Sequence, residues 1–302
     1  MYKKTLLGLA SCFAMQQNCV ADHTPHRLYI APDVSYHHFE TAGDRRSYRL
    51  GSAPIELFPE DMLYLPGSSD VIMSLENQWV YLAGGQAGYD YIQPGNIYFG
   101  TDVYYAGGTA HTKIRGDFRP VGLHRWDHIL DSYKEKWFNI EERIGYSWRQ
   151  QGWDVVWTPF IGGGYYQRIQ ESYQSLRWGY GAAGLRALWL CAGDAEIGLN
   201  LEVMRTAGSR AEVDLGHDLE NITFDLRNVW QYRAELPLTA YINDERTSDV
   251  RLVPYITVQN SGQGKHYVYF DTGNPVQPVN RTRFPAIKSY ALGARLEFGL
   301  DF

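Results

Sequence analysis

The sequence predicts a closed, antiparallel, up-and-down β-barrel that crosses a membrane with about ten strands. Three observations carry that reading. The chain opens on an export signal, and no later stretch approaches the length of a membrane helix. Segments of period-two alternation then recur along it. The links between those segments are alternately long and short.

The first 21 residues have the form of a secretory signal. Lys3 and Lys4 supply the positive start, Thr5 to Met15 is a short, mostly apolar run, and Ala21 is a small-residue cleavage position. A second reading stands beside it. Leu9-Ala10-Ser11-Cys12 has the form of a lipoprotein signal, in which Cys12 would be lipidated. Cleavage after Ala21 removes Cys12 and Cys19 and leaves one domain, residues 22–302. Cys191 is then the one cysteine of that domain, a thiol in a turn, so no internal disulfide forms.

Composition agrees with a sheet protein. Mean hydropathy is -0.38, which argues against a bundle of membrane helices. The 23 Tyr, 9 Trp and 30 Gly suit a membrane barrel, whose rings form girdles at both water interfaces. A formal net charge of -6 with no basic stripe gives no reason to expect a nucleic-acid partner.

The last segment alternates most clearly. Tyr290, Leu292, Ala294, Leu296, Phe298, Leu300 and Phe302 share one face, and Arg295, Glu297 and Asp301 lie on the other. Earlier apolar faces run through Trp79, Tyr81 and Tyr89; Ile97, Phe99, Val103 and Tyr105; and Ile140, Ile144, Tyr146 and Trp148. Others run from Ala195 to Val203, from Trp230 to Ile242 and from Val250 to Val258. Weaker segments begin near Leu28, Val155 and Trp178. The count is ten, with eight or twelve open. A strand of about eleven residues at a tilt of about 40° rises roughly 28 Å, near the height of an apolar band. Long links are expected over Gly43 to Asp70, Ala110 to Lys136 and Gly262 to Arg283, and tight ones at Gln93-Pro94-Gly95-Asn96 and Ala192-Gly193-Asp194. A periplasmic sandwich satisfies the alternation but not the terminal aromatic.

That final strand, with aromatic residues at Tyr290, Phe298 and Phe302, resembles the C-terminal assembly signal of Gram-negative outer-membrane proteins. The resemblance covers this strand and the general pattern. It implies location in the outer membrane, contact with its lipid and lipopolysaccharide, and recognition by the barrel-assembly machinery.

With the apolar faces turned to lipid, Arg143, Arg149, Glu196, Glu202, Arg233, Glu235, Arg251, Arg295 and Glu297 point into the lumen. Both signs occur on neighbouring strands, so an interlaced ion-pair network should fill it. Ten strands enclose little beyond side chains. The expected function is a small barrel with a filled lumen and external links that bind a surface ligand or partner. A narrow ion or small-solute channel is the alternative.

A membrane-embedded hydrolase is the third reading. Ten-stranded omptin-type proteases are similar in size and loop rhythm, and their chemistry needs an Asp–His pair opposite a carboxylate pair. Asp214, His217 and Asp218 loosely match the first half. Asp127, His128 and Asp131 do not supply the closely spaced second half. Ser–His chemistry of the lipid A-modifying barrels cannot be paired from sequence. His124, His128 and Asp131 would share one face of a helical turn as a metal site, and His37-His38 is a weaker case; solvated surface residues explain both. Gly162-Gly163-Gly164 lacks a following helix start and reads as close strand packing, not a phosphate cradle. No cofactor is expected, and an enzyme is the less favoured reading.

Overall fold

The computed structural model describes residues 25–42, 48–49, 70–119, 126–149, 155–170, 174–191, 195–213, 222–226, 229–243, 245–261, 266–271, 274–283 and 286–302. The export segment, including Ala21 and Cys12, lies outside them. Among the described residues, ten strands form one closed antiparallel barrel. They are β1 (His26–Ala42), β2 (Asp70–Tyr91), β3 (Asn96–Arg119), β4 (Trp126–Arg149) and β5 (Val155–Gln170). β6 (Gln174–Leu190), β7 (Ala195–Val213), β8 (Val229–Glu235 and Leu238–Tyr241), β9 (Ser248–Ser261) and β10 (Ala286–Asp301) follow. Each pairs with its neighbour in sequence, and β1 closes the sheet by pairing with both β2 and β10. Closure removes every free edge, which a strand inside a membrane must do.

The ladder also sets the tilt. Stepping across partners once around the barrel from Arg27, through Asp90, Arg143 and Met204, returns to β1 at Phe39, twelve residues further along. A stagger of that size over ten strands corresponds to a tilt of about 40°. Every residue named on that path faces inward, because stepping perpendicular to the strands preserves the face.

The outer face is apolar where the alternation predicts it. Ile30, Val34, Ile144, Leu292, Leu296 and Phe298 are exposed. Tyr36 packs on Tyr81 (ring centroids 5.1 Å) and His38 on Tyr290 (5.0 Å) at one level; Tyr89 and Phe99 (6.3 Å) lie at the other. On β10 the eight steps from Tyr290 to Phe298 rise about 20 Å, so these rings flank a band of membrane thickness.

Three expected boundaries are corrected. Ala110 to Lys136 is not a long loop: β3 runs on to Arg119 and β4 starts at Trp126. The strands of 22 to 24 residues rise about 55–60 Å, more than twice the apolar band, so their upper halves stand in water. There neither face needs to be apolar, and alternation fades while pairing continues. Gly262 to Arg283 contains a hairpin, His266–Asp271 with Asn274–Arg283. β7 continues past the apolar face that ends at Val203 and runs to Val213, where it pairs with Ile222–Asp225. Most of the link from Gly43 to Asp70 lies outside the described residues.

β8 breaks at Pro237, which has no N–H to donate. The ladder survives because Gly198 N–H donates to Pro237 O (2.7 Å) and Leu236 N–H to Pro254 O (3.0 Å). Much of the glycine has a separate use. Tyr29 lies opposite Gly88 and Tyr255 opposite Gly293, each ring covering the glycine so closely that a Cβ would enter it. Tyr180 over Gly164 repeats the arrangement, which fits the expected close packing at Gly162-Gly163-Gly164. Aromatic rings laid over glycines screen their backbone and hold register. So part of the tyrosine content serves the lumen, not the girdles.

Candidate functional site

The lumen is built in two layers. Toward the tight links it is filled by ion pairs. Arg27 donates bidentately to Asp249 (2.8 and 2.8 Å) and reaches Glu297 (2.9 Å) with its third nitrogen. Arg295 donates to Glu297 (2.8 Å) and bidentately to Glu235 (2.8 and 3.1 Å). Glu235 also accepts from Arg233 (2.7 Å) and Asn200 (2.9 Å). Across the barrel, Arg186 donates to Asp90 (2.9 Å) and Tyr98 (2.8 Å). All of these groups are largely buried, so each charge needs its counter-charge and hydrogen bonds in place.

The nine charges expected in the lumen all sit on inward-facing positions, but not as one cluster. Arg233, Glu235, Arg295 and Glu297 form a chain across β8 and β10. Arg251 donates to Thr239 (2.8 Å) and approaches Glu297 (3.7 Å). Glu196 accepts from Tyr241 (2.7 Å). Arg143 pairs with Asp102, which also accepts from Tyr29. Glu202 faces Glu141 across the lumen. Arg149 is half-buried near the tight-link end of β4. Sequence reading omitted Arg27, Asp33, Asp90, Asp102, Glu141, Arg186 and Asp249. The available signal was their place on the polar face of strands already found, Glu141 and Asp102 above all.

Toward the long links the lumen opens into a chamber of about 110 Å³. Tyr104, Trp137, Tyr166, Trp178, Tyr180 and Tyr255 wall it, and Asp33, Glu141 and Arg233 supply charge. Tyr166 stacks on Trp178 (4.5 Å), and His37 rests against Trp137 (4.3 Å). Above one side, Glu135 is almost fully buried. It accepts from Arg168 (2.6 and 2.9 Å), Gln170 (2.8 Å), Gln78 (3.1 Å) and Trp137 (2.8 Å). With every lone pair used, Glu135 braces the upper wall and is not available for chemistry.

Of the residues expected for a hydrolase or a metal, His37 is the one whose described side chain lines this lumen. Asp214, His217, Asp218 and His124 lie outside the described residues, and for Asp127, His128 and Asp131 only the backbone, in β4, is described. His37 turns into the chamber, whereas His38 turns outward, so the adjacent pair cannot share a ligand. Tyr290, Phe298 and Phe302 are exposed on the outside of the barrel. Phe302 stacks on His26 (5.4 Å) and its N–H donates to His26 O (3.0 Å), beside the β1–β10 seam.

Solved structures repeat this architecture. The outer membrane protease OmpT of Escherichia coli matches over 95% of this chain and 99% of its own, at TM-score 0.51 and 10% identity. The chain has the fold of an outer-membrane β-barrel. The translocator domain of the autotransporter NalP from Neisseria meningitidis matches over 99% of this chain and 94% of its own (TM-score 0.38, 11% identity). An outer membrane channel from Pseudomonas putida F1 matches over 94% and 100% (TM-score 0.36, 7% identity). No protein-family model matches the sequence, and no curated protein matches it. At these identities the likeness describes the barrel and not its activity.

Proposed function

We propose that this outer-membrane barrel binds rather than conducts: its lumen is sealed toward the tight links, and its working face is the opposite end. One observation carries the reading. One wall of the lower lumen carries a continuous set of charge-assisted hydrogen bonds, from Asp249 through Arg27, Glu297, Arg295 and Glu235 to Arg233, and Arg186 reaches across the lumen from β6 to Asp90 and Tyr98. Fork-shaped guanidinium–carboxylate pairs of this kind are strong and directional, and opening a path means separating several at once. In planar bilayers the purified protein is expected to give no discrete openings. Regular ion-selective steps would replace this reading with the narrow channel.

The same proposal places the chain in the bacterial outer membrane, in contact with lipid and lipopolysaccharide, with Tyr290, Phe298 and Phe302 on β10 read by the assembly machinery. Their outward position on the closing strand supports that role. Phe302→Ala is expected to lower the amount of assembled barrel several-fold, scored as the heat-sensitive fast band on gels. Unchanged assembly would remove the role from Phe302.

A further inference from the structure

We propose that the upper chamber of the lumen is a binding site for a small organic ammonium ion. The inference rests on the sealed-lumen reading only in taking the chamber floor to be closed.

The walls come first. Six aromatic side chains surround the cavity, and the stacked pair Tyr166 and Trp178 forms one side. Ring faces carry negative charge density and attract cations, most strongly where water is largely excluded. A cavity of about 110 Å³ is of the size that accepts a single ring or a short alkyl group.

The carboxylates decide the sign of the ligand. Asp33 is only 3% exposed and accepts from the Tyr255 (3.0 Å) and Tyr104 (3.4 Å) hydroxyls, both neutral donors. Among the described residues no Lys or Arg forms an ion pair with it. Glu141, also 3% exposed, accepts from Tyr180 through Oε2 (3.1 Å), while its Oε1 has no hydrogen-bond donor. Glu202, on β7, lies within hydrogen-bonding reach of Glu141, so two carboxyl groups crowd one spot, and no other residue donates to the Oε1 of either. Four carboxyl groups, Asp33, Asp102, Glu141 and Glu202, surround this space against two guanidiniums, Arg143 and Arg233, each of which also leaves its Nε without an acceptor. Arg233 is paired with Glu235 and lies over the Tyr255 ring (5.2 Å), and Arg143 is paired with Asp102, its Nε 3.6 Å from Glu141 Oε1. Negative charge is therefore in excess on an aromatic chamber.

A buried carboxylate oxygen without a donor is costly, and an N⁺–H supplies the missing hydrogen bond together with positive charge between two crowded carboxyl groups. An ammonium directed at Glu141, with its apolar part on Tyr166, Trp178 and Tyr180, meets each of these demands. A neutral ring of the same size leaves Oε1 unmet, and an anion adds repulsion.

The test is a titration of the folded full-length barrel in dodecyl-maltoside with benzylammonium, followed by tryptophan fluorescence, since Trp137 and Trp178 line the chamber. Benzyl alcohol and benzoate are the matched neutral and anionic probes. Saturable binding at least tenfold tighter for benzylammonium than for benzyl alcohol is expected. Glu141→Gln should weaken it at least tenfold, and Asp33→Asn should weaken it too. Glu142→Gln, one residue away on the outer face, should leave it unchanged. Equal affinity for the alcohol, or undiminished binding in both chamber variants, would overturn the proposal. If one chamber variant does not show the heat-sensitive fast band, the other decides. Bilayer recordings on the same preparation separate the two readings. Openings together with selective binding would sink only the sealed lumen, and a silent barrel without selective binding would sink only this site.

Discussion

Replacing Arg295 with alanine is expected to destabilise the folded barrel by about 3–5 kcal/mol, the usual consequence of removing one partner of a buried ion pair. Arg295 is 6% exposed and donates to Glu297 once and to Glu235 twice. Without it both carboxylates stay buried with less compensation. Arg233 and Asn200 still serve Glu235, and Arg27 still serves Glu297, which places the effect toward the lower end of that range. Urea unfolding in micelles, followed by tryptophan fluorescence, measures it. A change under about 0.5 kcal/mol would show that the lower lumen is not held by this network. Conductance offers a separate readout: the alanine variant should leak if the ion pairs are what seals the lumen.

How much of this was legible in the sequence depends on what each residue faces. Alternation in β10 decided the outward set from Tyr290 to Phe302 because one side meets lipid and the other a charged lumen. The same logic puts Arg233, Glu235, Arg295 and Glu297 on the face opposite the lipid-facing set, and their side chains are largely buried. It did not place their partners. Arg27 meets Asp249, 222 residues away, only because β10 lies between β1 and β9 in the closed sheet. Glu141 and Glu202 meet across the lumen, a relation that no spacing along the chain encodes. Asp33 was overlooked because Ile30-Ala31-Pro32-Asp33-Val34 is a weak strand on propensity alone, Pro and Asp both being poor strand formers. The upper halves of β3 and β4 were read as loop for a physical reason. Above the membrane the outer face meets water, so the lipid requirement that makes strands visible is gone.

Leu296 offers the converse experiment, on the face that touches lipid. It sits midway between Tyr290 and Phe302, is 38% exposed on the outside of the barrel, and pairs across the ladder with Leu252. Leu296→Arg is expected to cost about 2–4 kcal/mol, the depth-dependent penalty for a cation near the middle of the apolar band. The same change at Phe302, at the tight-link end, should cost only about 0–1 kcal/mol. Reversible unfolding from lipid vesicles measures both. With water outside the strand the difference vanishes: an outward Leu would tolerate arginine, and no dependence on height along β10 would appear. A graded penalty along Phe302, Phe298 and Leu296 therefore tests the membrane position of the barrel strand by strand, independently of anything in the lumen. The two variants are also separable in kind. Arg295→Ala should leave lipid contact intact and loosen the interior, whereas Leu296→Arg leaves the interior pairs intact and penalises insertion, so only the first should change conductance.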